Sequence, residues 1–182
     1  APLNTVYINP ASGTVRTGNN VLAISENLVI QSGTFRPRGN LADANYANGV
    51  AVIEVNAGAT LNLNGGNVTG DGTLGTKFND IQISGTVIAS AANSLSTENI
   101  SMSSTGRLNV NFVGVNQTEG WWYQTASPSS IIFDELSSVT YSGTAAQNVY
   151  GAIYGNLTLS SSAKTLVGGS LEIQGNLIAN NG

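Results

Sequence analysis

The chain contains no cysteine and no histidine among its 182 residues. The first absence excludes disulfides and thiolate metal sites. The second removes the commonest general base, proton shuttle and metal ligand. Charge is scarce as well: Asp, Glu, Lys and Arg together make up 9%, against about 25% in typical soluble domains. The six basic residues, Arg16, Arg36, Arg38, Lys77, Arg107 and Lys164, are scattered along the sequence, and the formal net charge is −4. No basic stripe exists to neutralise phosphates, so no nucleic-acid partner is expected. No apolar run approaches the ~18 residues of a spanning helix, so no membrane insertion is expected either. Helical periodicity is missing, and 22 glycines count against helix. Ser90 to Glu98 is the one stretch with room for a short helical turn.

What is present is Asn, Ser, Thr and Gly, arranged around short apolar runs. Leu28-Val29-Ile30 leads through Gln31-Ser32-Gly33 to Phe35, and Val52-Ile53-Glu54-Val55 through Asn56-Ala57-Gly58 to Leu61 and Leu63. Ile81-Gln82-Ile83 leads through Ser84-Gly85 to Val87, and Ile100-Ser101-Met102 through Ser103 to Gly106 to Leu108 and Val110. Val139-Thr140-Tyr141, Leu157-Thr158-Leu159 and Leu171-Glu172-Ile173 open three further copies. The period of two marks each run as a strand with one face in a core and one toward water. The recurrent Gly33, Gly58, Gly85, Gly106 and Gly143 mark corners that need positive φ or close backbone approach.

Successive copies start at 28, 52, 81, 100, 139, 157 and 171. A step near ~20 residues suits one turn of a solenoid built from short strands and tight corners. The expected fold is therefore all-β: a right-handed parallel β-solenoid (β-helix) with loop insertions, forming a single domain over 1–182. Coils of ~20 residues stacked at about 4.8 Å would give about nine levels. Loops are expected over Pro37 to Gly49 and Asn64 to Asn79, with a large insertion over 113–130. The abrupt start at Ala1 and the strand pattern still running at the end suggest a segment of a longer protein.

Tyr141-Ser142-Gly143, Tyr154-Gly155-Asn156-Leu157-Thr158-Leu159, Lys164-Thr165-Leu166 and Gly175-Asn176-Leu177 follow one another in the last 42 residues. In that order they resemble the repeats of very large secreted surface proteins of Bacteroidota, of the gliding-adhesin type. The preceding part resembles them only in style. The resemblance implies an extracellular, cell-surface β-solenoid of the adhesin kind, in some cases linked to gliding motility, and it supplies no catalytic residues.

Three constellations bear on chemistry. Trp121-Trp122-Tyr123 gathers three aromatics in an expected loop, where they either form a stacking platform for surface glycans or cover an apolar patch. Asp43, Asn45, Asn48 and Glu54 offer oxygens to a weak calcium site, although Ala47 and Asn48 break the spacing of a calcium loop. Otherwise no cofactor is expected. Gly70 to Gly75 matches GxGxxG, but Thr76 to Asp80 runs into a strand where a phosphate cradle needs a helix. Asp134-Glu135 is the one adjacent acidic pair, thin for the clustered carboxylates of a polysaccharide lyase or hydrolase.

The expected function is accordingly a non-catalytic structural or adhesive segment of a surface protein or filament. Its partners would be neighbouring solenoid segments or identical subunits, end to end. A carbohydrate-binding module using the Trp-Trp-Tyr loop is the alternative, and a polysaccharide-degrading enzyme a more distant one. An ice-binding face would want a regular Thr-x-Thr array, and the copies read Thr-Leu, Gln-Ile and Ser-Met at matching places.

Overall fold

The computed structural model describes residues 2–44, 51–64, 68–69, 78–90, 97–111 and 130–180. Among them there is no helix. The strands are β1 (Leu3–Ile8), β2 (Thr14–Arg16), β3 (Leu22–Ile30), β4 (Thr34–Arg36), β5 (Leu41–Asp43), β6 (Val52–Val55) and β7 (Thr60–Asn62). Next come β8 (Val68–Thr69), β9 (Phe78–Ile83), β10 (Thr86–Ala89), β11 (Thr97–Met102), β12 (Arg107–Val110), β13 (Ser130–Phe133) and β14 (Ser138–Tyr141). The last are β15 (Gln147–Tyr150), β16 (Ile153–Tyr154), β17 (Asn156–Ser160), β18 (Lys164–Val167), β19 (Glu172–Ile173) and β20 (Leu177–Asn180).

From β6 to β14 the described strands of the chain pass back and forth between two large sheets, apart from the short branch strand β8. The first sheet runs β13-β11-β9-β6-β3-β5-β8, with β1 also on β3. The second runs β2-β4-β7-β10-β12-β14-β17-β20. β15 pairs β18 and β16 pairs β19 in two smaller sheets. Pairing is parallel within both large sheets. Parallel neighbours cannot be joined by a tight hairpin, so each must be reached by a crossover. Up to β14 the crossover runs through the opposite large sheet, and between β14, β17 and β20 it runs through the two smaller sheets.

This arrangement lines like residues up in columns. In the second sheet Val15, Phe35, Leu61, Val87, Leu108, Val139, Leu157 and Leu177 are successive register partners. In the first, Val6, Leu28, Ile53, Ile81, Ile100 and Ile131 form one column, and Ile8, Ile30, Val55, Ile83, Met102 and Phe133 another. Apart from Leu177 at the end of its column, both sets turn into one continuous core. Burying each such side chain contributes on the order of 1.5–3 kcal/mol.

The corners repeat as well. Ala59, Gly106 and Ser137 each donate a backbone N–H three residues back, to Asn56, Ser103 and Asp134, at 2.8–2.9 Å. Gly58 takes φ +80° with open space around it, so backbone conformation is what asks for glycine there. Gly85 has an ordinary φ, but a Cβ would run into the carbonyl oxygens of Asn56 and Ala59 one level away. There, close stacking is the requirement.

Several expectations change. The first four copies read from the sequence do start in the first sheet and cross to the second. Val139-Thr140-Tyr141 and Leu157-Thr158-Leu159 instead belong to the second sheet, as β14 and β17. The first-sheet strand of that level is β13, whose Ile131-Ile132-Phe133 hides the period of two because Ile132 is apolar yet exposed. An earlier level also exists, since β1 and β2 stack on β3 and β4. The Pro37 to Gly49 stretch contains β5, and Asn64 to Asn79 contains β8 and the start of β9. Thr97 and Glu98 are strand rather than helix. The second sheet has eight levels among the described residues, against about nine expected. Residues 113–129 lie outside the described residues, and Ser130 begins β13.

Candidate functional site

Of the expected calcium ligands, Asp43 and Glu54 lie among the described residues. Asp43 closes β5, is 1% exposed, and accepts the Ala51 N–H on Oδ2 at 3.2 Å. It thereby anchors the chain where β6 begins. Glu54 stands half-buried on β6, between Val29 and Gln82. Along β3 the partner of Asp43 is Ile24 and that of Glu54 is Val29. Five residues of strand are about 16 Å, so these two carboxylates do not share a site. Asn45 and Asn48 lie outside the described residues, as do Trp121, Trp122, Tyr123 and Gly70 to Gly75. Among the described residues, no group of three or more acidic, His or Cys side chains could hold a metal.

Asp134 and Glu135 sit exposed in the corner between β13 and β14. Asp134 Oδ1 accepts the Leu136 N–H at 2.9 Å, and its carbonyl accepts the Ser137 N–H. Such self-capping is the ordinary use of Asp in a turn. The acidic pair therefore builds a corner.

The motif of the last 42 residues forms a connected buried polar arrangement. Tyr141 and Tyr154 are both fully buried, with hydroxyls 3.2 Å apart. The Tyr154 hydroxyl donates to the Tyr150 carbonyl at 2.7 Å, so Tyr141 must donate to Tyr154. Tyr141 in turn accepts the Tyr150 N–H at 3.4 Å, closing a ring of three hydrogen bonds. Burial first, then the charge and hydrogen bond of Tyr141 and the charge of Tyr150, push the Tyr154 phenol well above its ordinary 10.0. Beside this ring Gln147 accepts the Gly143 N–H at 2.8 Å and donates to the Val110 carbonyl at 3.1 Å. The polar groups are satisfied inside an otherwise apolar core, which is what their burial demands.

Two further motif residues hold the stack, Asn156 between levels and Lys164 within one corner. Asn156 donates through Nδ2 to the Ser137 carbonyl at 3.0 Å, and its Oδ1 accepts both the backbone and side-chain N–H of Asn176 at 3.0 Å. Gly155-Asn156-Leu157 thus stacks directly under Gly175-Asn176-Leu177. The Lys164 ammonium donates to the Ser160 and Ser162 carbonyls at 2.7 and 3.0 Å, holding a corner where Ser161 takes φ +76°. Partial burial lowers its pKa from the ordinary 10.5. The sequence signal for all of this was the motif itself; the closure of its tyrosines into a ring was not readable.

Polar ladders continue along the surface. Ser103 donates to Ser84 at 3.0 Å, Ser32 to Asn9 at 2.7 Å, and Asn99 to the Asn79 carbonyl at 2.9 Å. Each links residues 19 to 23 positions apart. By contrast, apolar groups are left open around the last strands: Leu166, Leu177 and Ile178 are about half exposed. Ile132, Leu136 and Ile153 are exposed near the β13–β14 corner.

No family model, curated protein or solved structure matches this chain.

Proposed function

We propose that the chain is a coil-by-coil β-solenoid, right-handed as parallel crossovers almost always are. In this reading it serves as a non-catalytic, structural and adhesive segment of an extracellular surface protein of the gliding-adhesin kind. The supporting observation is how the residues are used. The motif tyrosines close a ring and the lysine a corner within a level, the asparagines link neighbouring levels, and Asp134 caps a corner. Side chains spent on stacking suit a structural repeat whose units contact only their neighbours.

The half-exposed Leu166, Leu177 and Ile178 suit a further level of the same kind, either continuing chain or an identical subunit end to end. Electron microscopy of the native source material, labelled with antibodies to this chain, tests the reading. Thin surface rods carrying the label support it. Release of reducing or unsaturated sugars from a polysaccharide by the purified chain would replace it with an enzyme. Glycan-array binding abolished by Trp121→Ala/Trp122→Ala would replace it with a carbohydrate-binding module.

A further inference from the structure

The six basic residues look scattered in the sequence, but folding sorts the charges. Strands of the first sheet carry Glu26, Asp43, Glu54, Asp80 and Glu98, and no Lys or Arg. Strands of the second carry Arg16, Arg36 and Arg107, and no Asp or Glu. Asp43 is buried. The other four acids and all three arginines are exposed or half-buried. Because both sheets direct their apolar columns into one core, the charged residues face solvent on opposite sides of it.

Arg16 and Arg36 are direct register partners. Like charges side by side on neighbouring strands, about 4.8 Å apart, repel one another. No strand of their own sheet supplies a carboxylate to relieve this. The relief is available on the first sheet, where β3, β6, β9 and β11 carry Glu26, Glu54, Asp80 and Glu98, one acid at each of four successive levels. The positive charge gathers at the β2–β4 end of its face, since Arg107 stands apart in the column of Thr14, Thr34, Thr60 and Thr86, while the acids spread over four neighbouring strands.

We propose that the arginine-bearing face of the second sheet docks on the acidic face of the first sheet of another copy of this chain, packing copies side by side. The contact is heterologous, so it propagates into an open array rather than closing a dimer. It extends the structural reading given above from the ends of the stack to its flanks, and rests on that reading for its purpose.

Sedimentation at two salt concentrations tests it. At about 20 mM salt, where screening is weak, the weight-average mass of the intact chain should rise at least about twofold over the monomer, and fall back at about 0.5 M. Arg16→Glu/Arg36→Glu and Glu26→Lys/Glu54→Lys should each remain monomeric at low salt. An equimolar mixture of the two should associate again. Circular dichroism checks their folding, and Arg16→Gln/Arg36→Gln serves if charge reversal disturbs it. Wild-type chain monomeric at both salts, or association that survives both double variants, overturns the proposal. So does salt-sensitive binding of polygalacturonate by a chain that stays monomeric, which would give the face to an anionic glycan. Single labelled rods that never bundle at low salt would remove the lateral contact and leave the rod intact.

Discussion

Leu108 and Leu177 occupy the same column of the same sheet, yet the first is fully buried and the second 53% exposed. The residue type is identical, and both backbones pair in parallel with the preceding level. What differs is the company above. Leu108 lies between Val87 and Val139, whereas Leu177 belongs to the last strand of its sheet. Stability in this architecture is therefore a property of neighbouring levels, as in other repeat structures where each unit contacts only those adjacent to it.

A second contrast concerns the filling. From Leu28 to Val110 the buried apolar residues are aliphatic apart from Phe35, Phe78 and Met102, with Asp43 and Thr97 the buried polar ones among the described residues. Beyond β13 the tyrosine ring and Gln147 enter the interior, where β15 and β16 add two short sheets beside the main ones. The Phe133 and Tyr154 rings meet at 5.6 Å across this change. An aliphatic column tolerates small adjustments of one level against the next. A closed hydrogen-bond ring does not, so it fixes how β14, β15 and β16 pack within one level, while Gln147 ties that level to the Val110 carbonyl of the one before.

The largest expected effect comes from Leu108→Ala, which should lower stability by about 2–5 kcal/mol in urea denaturation. Gly85→Ala should cost about 1–3 kcal/mol, because the new methyl meets backbone oxygens that the stack cannot move apart. Tyr154→Phe breaks the ring and should cost about 1–3 kcal/mol. Its pH dependence sharpens the point. The folded phenol titrates above the unfolded one, so its contribution is fully present below the ordinary 10.0 and is lost as pH rises through the higher folded value. Melting temperature should therefore fall more steeply above about pH 10 in the wild type than in Tyr154→Phe. The smallest effect belongs to Leu177→Ala, at less than about 1 kcal/mol. A loss at Leu177 equal to that at Leu108 would erase the contrast.

Much of this was legible in the sequence where period and corner agreed. Ile81-Gln82-Ile83 followed by Ser84-Gly85 could only be a strand and a corner, and so it is. The phase of later copies was not legible, because Val139-Thr140-Tyr141 followed by Ser142-Gly143 carries the same signature in the other sheet. Three-residue strands such as Leu41–Asp43 are too short to show a period and are held by their neighbours on β3 and β8. Charge sorting is likewise invisible along the chain, since it depends on which sheet each strand joins. The separation of Asp43 from Glu54 was hidden for the same reason. Asp43 and Glu54 are eleven residues apart in sequence but meet β3 at well-separated points.

The absence of cysteine makes the central claim, in-register parallel stacking of successive levels, directly testable by engineered disulfides. Thr60 and Thr86 are register partners on neighbouring strands, while Thr14 lies three strands from Thr86, about 14 Å away. Under mild oxidation Thr60→Cys/Thr86→Cys should close a disulfide in the native chain, since adjacent parallel strands fall within its Cα range. Thr14→Cys/Thr86→Cys should close one only after unfolding. Failure of the first pair, or equal closure of both in the native state, would contradict the stacked account.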